Sequence, residues 1–223
     1  MFESKYSKVL TVILVIVIIA ILGLLGFLGY DWYKNYFLEN DAEKFVQDYA
    51  NNNQSSSDER QNTTSDENAT NPIDSIEKVD NSSTSGNSKP QYKGFNVIGT
   101  MEIPATNFSY PILEAPPSKK AIETSVAMLY GAGVNQVGNT VIIGHNYRNG
   151  LFFSNNKKLN NGDKIYITDN DGNTLTYTIY NKFETTPEDT SFYQRDTNGK
   201  PEVTLSTCTD DSKARLIILA RAD

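Results

Sequence analysis

The chain has 223 residues, 38% of them apolar, and a formal net charge of −7. That length suits one medium domain with a tether rather than two large cores, and an acidic balance without a basic stripe argues against a nucleic-acid surface. One cysteine and one histidine leave no internal disulfide framework.

Residues 1–8 carry Lys5 and Lys8, and Val9 to Leu28 then runs without a charge and almost wholly aliphatic. About 20 apolar residues suffice to cross a bilayer, whereas a cleaved signal peptide has a shorter apolar run ending in small residues. Tyr30-Asp31-Trp32-Tyr33 stands where a cleavage site would lie and reads as an interfacial aromatic belt. Residues 9–30 are therefore expected to be an uncleaved signal anchor. The lysines before it place the N-terminus in the cytoplasm and the remainder outside the cell, although Lys34 reduces the charge asymmetry. Gly23, Gly26 and Gly29 form either a helix-packing face or glycines merely tolerated in lipid.

Residues 31–50 are polar-aromatic and are expected to continue the helix. Residues 51–90 are dominated by Asn, Ser, Thr, Asp and Glu, which bury too little apolar surface to offset the entropy of ordering, so they read as a disordered linker. As a coil such a linker spans roughly 30 to 40 Å.

Residues 91–223 read as one folded domain of short strands. Phe95–Ile103 is strand-like and stopped by Pro104; Tyr110–Leu113 is a second apolar run; Ser118 is placed to cap a short helix over Lys119–Thr124. Asn139–Gly144 is β-branched, and Lys164–Thr168 and Thr174–Tyr180 flank the turn sequence Asp169 to Asn173. Asn181–Pro201 is polar, with room for a short helix only. Glu202–Thr207 and Leu216–Arg221 complete an all-β barrel or sandwich.

Cys208 closes a strand and opens a polar loop. A thiol there is either a small buried hydrophobe or a displayed nucleophile, and an extracellular free thiol risks oxidation. Thr209–Ala214 is a six-residue polar connection. If it is a hairpin loop, Cys208 and Arg215 face each other across the strands, where a cation favours a thiolate and a developing oxyanion. The other role open to Arg215 is a surface charge pairing with Asp210 or Asp211. His145, also at a strand's end, is the one imidazole available to carry protons near neutral pH.

Gly144-His145-Asn146, Leu151-Phe152-Phe153-Ser154 with Leu159, Asn161-Gly162-Asp163, Thr204-Leu205-Ser206-Thr207-Cys208 and Arg215, in that order, together resemble the sortases. Gly99-Thr100-Met101-Glu102-Ile103-Pro104 looks like their first core strand, and the resemblance covers about Gly94 to Ala222. It implies an eight-stranded β-barrel with short helices and a cysteine transpeptidase on the outside of a Gram-positive cell. Cys208 would attack a backbone carbonyl in an LPxTG-like sorting signal to form a thioester. His145 would be the general acid/base, and Arg215 would hold substrate and stabilise the oxyanion. Thr207 matches a family threonine beside the substrate, though its strand position alone also accounts for it. The implied partners are secreted proteins with C-terminal sorting signals and an amine of the peptidoglycan precursor or cross-bridge. No cofactor is implied. Asp169, Asp171 and Glu184 do not have the spacing of a calcium loop and read as solvated charges.

Two features point away from the pilus-polymerising members and toward a class B- or D-like enzyme. No apolar segment follows Leu216–Arg221, and no DPF- or DPW-type lid anchor precedes the first core strand. Papain-like proteases place cysteine before histidine, the reverse of the order here. The competing class is a non-catalytic, membrane-anchored β-domain that binds a surface ligand. It explains anchor, tether and barrel, and gives no reason for Cys208, His145 and Arg215 to meet.

Overall fold

A computed structural model describes residues 3–60, 89–114 and 116–223. Residues 61–88, most of the segment read as a linker, lie outside them. Helix α1 spans Glu3–Arg60, and two compact units divide the chain at Met1–Asp41 and Ala42–Asp223.

The first unit is helical and contains the one described stretch long and apolar enough to cross a membrane, with a window of mean hydropathy 3.2. Its aliphatic side chains from Leu10 to Leu28 are exposed, an arrangement that water disfavours and a bilayer accepts. Trp32 stacks on Tyr36 and Tyr33 on Phe37 at 5.6 and 6.4 Å between ring centroids, each pair one helical turn apart. The helix continues past Ala50 to Arg60, ten residues into the segment expected to be coil. Extending an existing helix adds a hydrogen bond for each residue fixed, so polar residues suffice once the nucleus exists.

In the second unit the end of α1 presents Ala42, Val46 and Tyr49 at helical spacing, all buried. Phe45 meets the Tyr92 ring at 5.1 Å, and the Tyr49 hydroxyl donates to Asn170 Oδ1 at 2.6 Å. The strands are β1 (Gln91–Tyr92), β2 (Phe95–Ile103), β3 (Phe108–Leu113), β4 (Val126–Tyr130), β5 (Gly138–Ile143), β6 (Lys164–Asp169), β7 (Thr174–Thr185), β8 (Pro201–Cys208) and β9 (Arg215–Ala222), with helix α2 over Lys119–Thr124. Their order is β1-β2-β3-β4-β5-β8-β9-β7-β6, and a β2–β6 pairing closes β2 to β9 into an eight-stranded barrel. Two-residue β1 is an edge addition to β2.

Period-2 patterning drives these elements. In β2, Val97, Met101 and Ile103 point into the core while Glu102 is exposed. Ser118 caps α2 as expected, its Oγ accepting from Ala121 N at 3.1 Å. β8 is buried from Glu202 to Thr207 because it lies between β5, parallel to it, and β9, antiparallel. Strand β4 was not among the sequence expectations; Val126–Tyr130 is short and does not alternate clearly. β7 runs to Thr185, five residues past its expected end, because a register shift between Ile179 and Asn181 lets it keep pairing with β9 up to Thr185↔Arg215. The rest of the interval to β8 forms turns rather than a helix.

The parallel β5–β8 pairing matters most for function. It aligns Ile143 with Ser206, so the residues leaving both strands, His145 and Cys208, emerge at the same end of the barrel.

Candidate active site

Cys208 and Arg215 are directly opposed across the β8–β9 hairpin, and Arg215 Nη1 donates to Cys208 Sγ at 3.1 Å. The six-residue loop between them folds on itself: Thr209 N donates to Ala214 O at 3.0 Å, Ala214 N to Thr209 Oγ1 at 3.1 Å, and Thr209 Oγ1 to Asp211 Oδ1 at 2.6 Å. Hence Arg215 faces the thiol, and Asp211 is occupied by the loop itself.

His145 is carried by the chain leaving β5. Gly144 N donates to Ser206 O at 3.3 Å, and the Thr207 hydroxyl donates to Gly144 O at 2.7 Å, latching the histidine segment to the strand that bears the thiol. A Cβ on Gly144 would lie 2.8 Å from both the Phe153 ring and Val126, so only glycine permits this approach. Phe153 N donates to His145 O at 3.0 Å. Phe152 holds a positive φ of 51°, a strained conformation for a bulky residue, with its ring against Tyr110 and Tyr147 at 5.3 and 5.7 Å. Ser154 accepts from Tyr147 N at 3.0 Å and donates to Leu151 O at 2.6 Å. The sequence from Gly144 to Ser154 is thus one braced loop that fixes the imidazole.

The His145 ring stacks on Tyr147 at 4.8 Å between centroids, and its Nε2 is shielded without a hydrogen-bond partner among the described residues. Burial pushes the imidazole below its ordinary pKa, a shift that Glu123 opposes and Lys119 reinforces. His145, Thr207, Cys208 and Arg215 line one cavity of about 310 Å³, with Ile122, Leu129, Ile143, Phe192 and Tyr193 among its apolar walls. All four residues singled out from sequence are therefore brought together.

A family model described as the sortase domain matches residues 101–223. The chain belongs to the sortase family. Sortase A of Bacillus anthracis is 32% identical over 125 residues, which is 55% of this chain and 58% of that protein. The solved structure of sortase A from Corynebacterium diphtheriae has a TM-score of 0.52 at 30% identity, covering 58% of this chain and 61% of that one. A Clostridium perfringens sortase D5 transpeptidase gives 0.52 at 28%, covering 57% and 79%. This sortase therefore spans about three-fifths of the length of the first two relatives, and its likeness is spread over members of different classes.

Several residues of the site were not singled out from sequence. Asn146 Nδ2 donates to the Cys208 carbonyl at 3.0 Å and to Asp210 Oδ1 at 2.9 Å, and Lys157 pairs with Asp210 at 2.5 Å; these donors hold the Asp210 carboxyl below its usual range. The triplet Gly144-His145-Asn146 was the available signal. The wall formed by Phe192 and Tyr193 is set by a network that spacing does not reveal. Asn139 Nδ2 donates to the Phe192 and Tyr193 carbonyls at 3.1 and 2.9 Å, and Thr204 donates to Asn139 Oδ1 at 2.8 Å. Arg195 donates to Thr204 at 2.8 Å, to Phe192 O at 2.9 Å and to Glu202 at 2.8 Å. The fully buried Glu202 also accepts from Arg221 at 2.6 Å and Tyr180 at 2.9 Å. Burial pushes that carboxyl up, but the three donors outweigh it and hold the pKa below the usual value.

No group of three or more His, Cys, Asp or Glu among the described residues is placed to hold a metal ion. Asp169 instead organises its hairpin turn, accepting from Asp171 N at 3.0 Å and Asn173 N at 2.9 Å. Glu184 lines a second, more polar cavity of about 430 Å³ with Lys157, Lys182, Asp210 and Asp211, and Cys208 is the one residue common to this cavity and the first.

Proposed function

We propose that this sortase is a cysteine transpeptidase that cleaves an LPxTG-like sorting signal on secreted proteins and transfers the acyl part to a cell-wall amine. The observation that carries the reading is the convergence of the only thiol, the only imidazole and a guanidinium on one groove. Cys208 Sγ passes its proton to His145 and attacks the carbonyl of the scissile peptide bond, and the Arg215 guanidinium stabilises the oxyanion and holds the substrate. The bond to the leaving amine breaks as His145 donates its proton, leaving a thioester. The acceptor amine then loses a proton to His145 as its nitrogen bonds the carbonyl and the thiolate departs. Thr207 and Asn146 position these groups.

The apolar walls Ile122, Leu129 and Phe192 suit the aliphatic part of such a signal. The helix of residues 9–30 anchors the enzyme in the cell membrane with its N-terminus cytoplasmic and residues 91–223 outside. Residues 31–50 then form the juxtamembrane segment.

The deciding experiment incubates the full chain with an LPxTG-type peptide and an amine. Mass spectrometry should find the acyl group on Cys208 and then the amide product, both absent in Cys208→Ala. Product formation by Cys208→Ala at the wild-type rate would exclude the mechanism.

A further inference from the structure

Next to the catalytic groove lies a larger cavity, about 570 Å³, lined by Met128 to Ala132, Val137 to Asn139 and Tyr193 to Arg195. Leu129 and Tyr193 belong to the walls of both cavities, so the two adjoin at these side chains. The Tyr130 and Tyr193 rings lie 5.5 Å apart, and Gln194 Nε2 donates to the Tyr130 hydroxyl at 2.9 Å. These contacts fix the shared rim through the same loop that Arg195 and Glu202 hold in place.

We infer that this cavity is a second substrate compartment, which takes the uncharged, partly aromatic residues immediately upstream of the sorting signal. The inference rests on the transpeptidase reading above, and the strand register gives the distances. Ser206, two residues before Cys208, pairs with Ile143; Thr204 pairs with Val141, itself the partner of Tyr130; and Pro201 pairs with Gly138. At about 3.3 Å per residue, the Val141 level lies about 13 Å from the Cys208 level and the Gly138 level about 23 Å. Four extended residues of an acyl segment cover about 13 Å and so fill the first cavity. The next three or so residues, about 10 Å of chain, run from Tyr130 to Gly138, the extent of the second.

The chemistry of the lining names the class of residue. Tyr130 and Val137 are 37% and 63% exposed, apolar surface that an extended peptide would cover. The one charged side chain in the lining, Arg195, is already paired with Glu202. Its Nη2 has no hydrogen-bond partner among the described residues but is shielded, so no exposed charge selects a charged residue, and an aromatic or aliphatic side chain gains most from burial. Recognition of this kind would let the enzyme distinguish cargo proteins that share one sorting motif.

The test uses the full chain in detergent micelles, made Cys208→Ala so that bound peptide is not consumed. Binding of three labelled peptides is read by fluorescence anisotropy: the five-residue motif alone, the motif preceded by Tyr-Leu-Tyr, and the motif preceded by Gly-Ser-Gly. The Tyr-Leu-Tyr extension should tighten binding about five-fold or more over the motif alone, and the Gly-Ser-Gly extension should leave it unchanged. Val137→Glu and Tyr130→Ala should each remove the gain. Motif-only binding, kept in Val137→Glu, reports that this variant is folded. Equal affinity for the three peptides, or a gain that survives both substitutions, overturns the inference. Cleavage of the motif-only peptide by the wild-type chain is measured beside it. Its absence sinks the transpeptidase reading and this inference together, whereas cleavage without an extension effect sinks the inference alone.

Discussion

The Thr207 hydroxyl donates to the Gly144 carbonyl oxygen at 2.7 Å, joining the residue before the thiol to the residue before the imidazole. Replacing it by the isosteric Thr207→Val leaves that carbonyl without this donor, a loss of about 1 to 2 kcal/mol. Thermal unfolding should shift down, and kcat should fall more than KM rises because the reacting groups lose alignment. Thr207→Ser, which keeps the hydroxyl, should restore most of both. Unchanged kcat in Thr207→Val would show that the latch does not position the pair.

Arg215→Lys keeps the charge and loses the planar fork aimed at Cys208 Sγ. Transpeptidation should fall about a hundred-fold, the usual effect of removing one oxyanion donor, with little change in melting temperature. Near-wild-type rates would remove Arg215 from the catalytic set.

Glu202→Ala leaves Arg195, whose side chain is only 18% exposed, without its carboxylate. Breaking a buried pair from one side costs roughly 3 kcal/mol. The Phe192–Tyr193 wall should loosen, so in conditions where the variant remains folded KM should rise several-fold while the rate at saturating peptide changes less. A pure loss of stability with unchanged KM would assign the network to the fold and not to the groove.

His145 has a folded pKa held below its ordinary value of about 6.5 by burial. Between the two values the unfolded chain binds the proton more readily than the folded one. This contribution to stability is therefore complete above about pH 6.5 and is lost as pH falls toward the folded value. The melting temperature measured from about pH 7.5 to 5 should decline, and His145→Gln should decline less. Identical profiles would assign the acid sensitivity to other groups.

Removing residues 1–41 should leave a folded β-domain more stable than one lacking residues 1–90. The difference comes from Val46 and Tyr49, buried in the same compact unit as the barrel and contributing about 3 kcal/mol together. Both truncated proteins should cleave peptide. Equal melting temperatures would show that the end of α1 adds nothing to the domain.

The sequence by itself determined what is local. Alternation in Val97 to Ile103 and Thr174 to Tyr180, the turn at Asp169–Asn173 and the cap at Ser118 each involve neighbours in the chain. For the same reason the Cys208–Arg215 opposition was legible: a hairpin joins its strands through one short polar loop, so register follows from loop length. The meeting of His145 with Cys208 has no such signal. It depends on β5 and β8 lying side by side in parallel although β6 and β7 intervene in the chain; in the sequence it rests only on a lone thiol needing a lone imidazole and on the family pattern. Asn146, Arg195 and Glu202 were missed because a polar side chain has many partners open to it. Which one it takes is decided by the burial that removes water as a competitor, and that burial exists only once the barrel has closed.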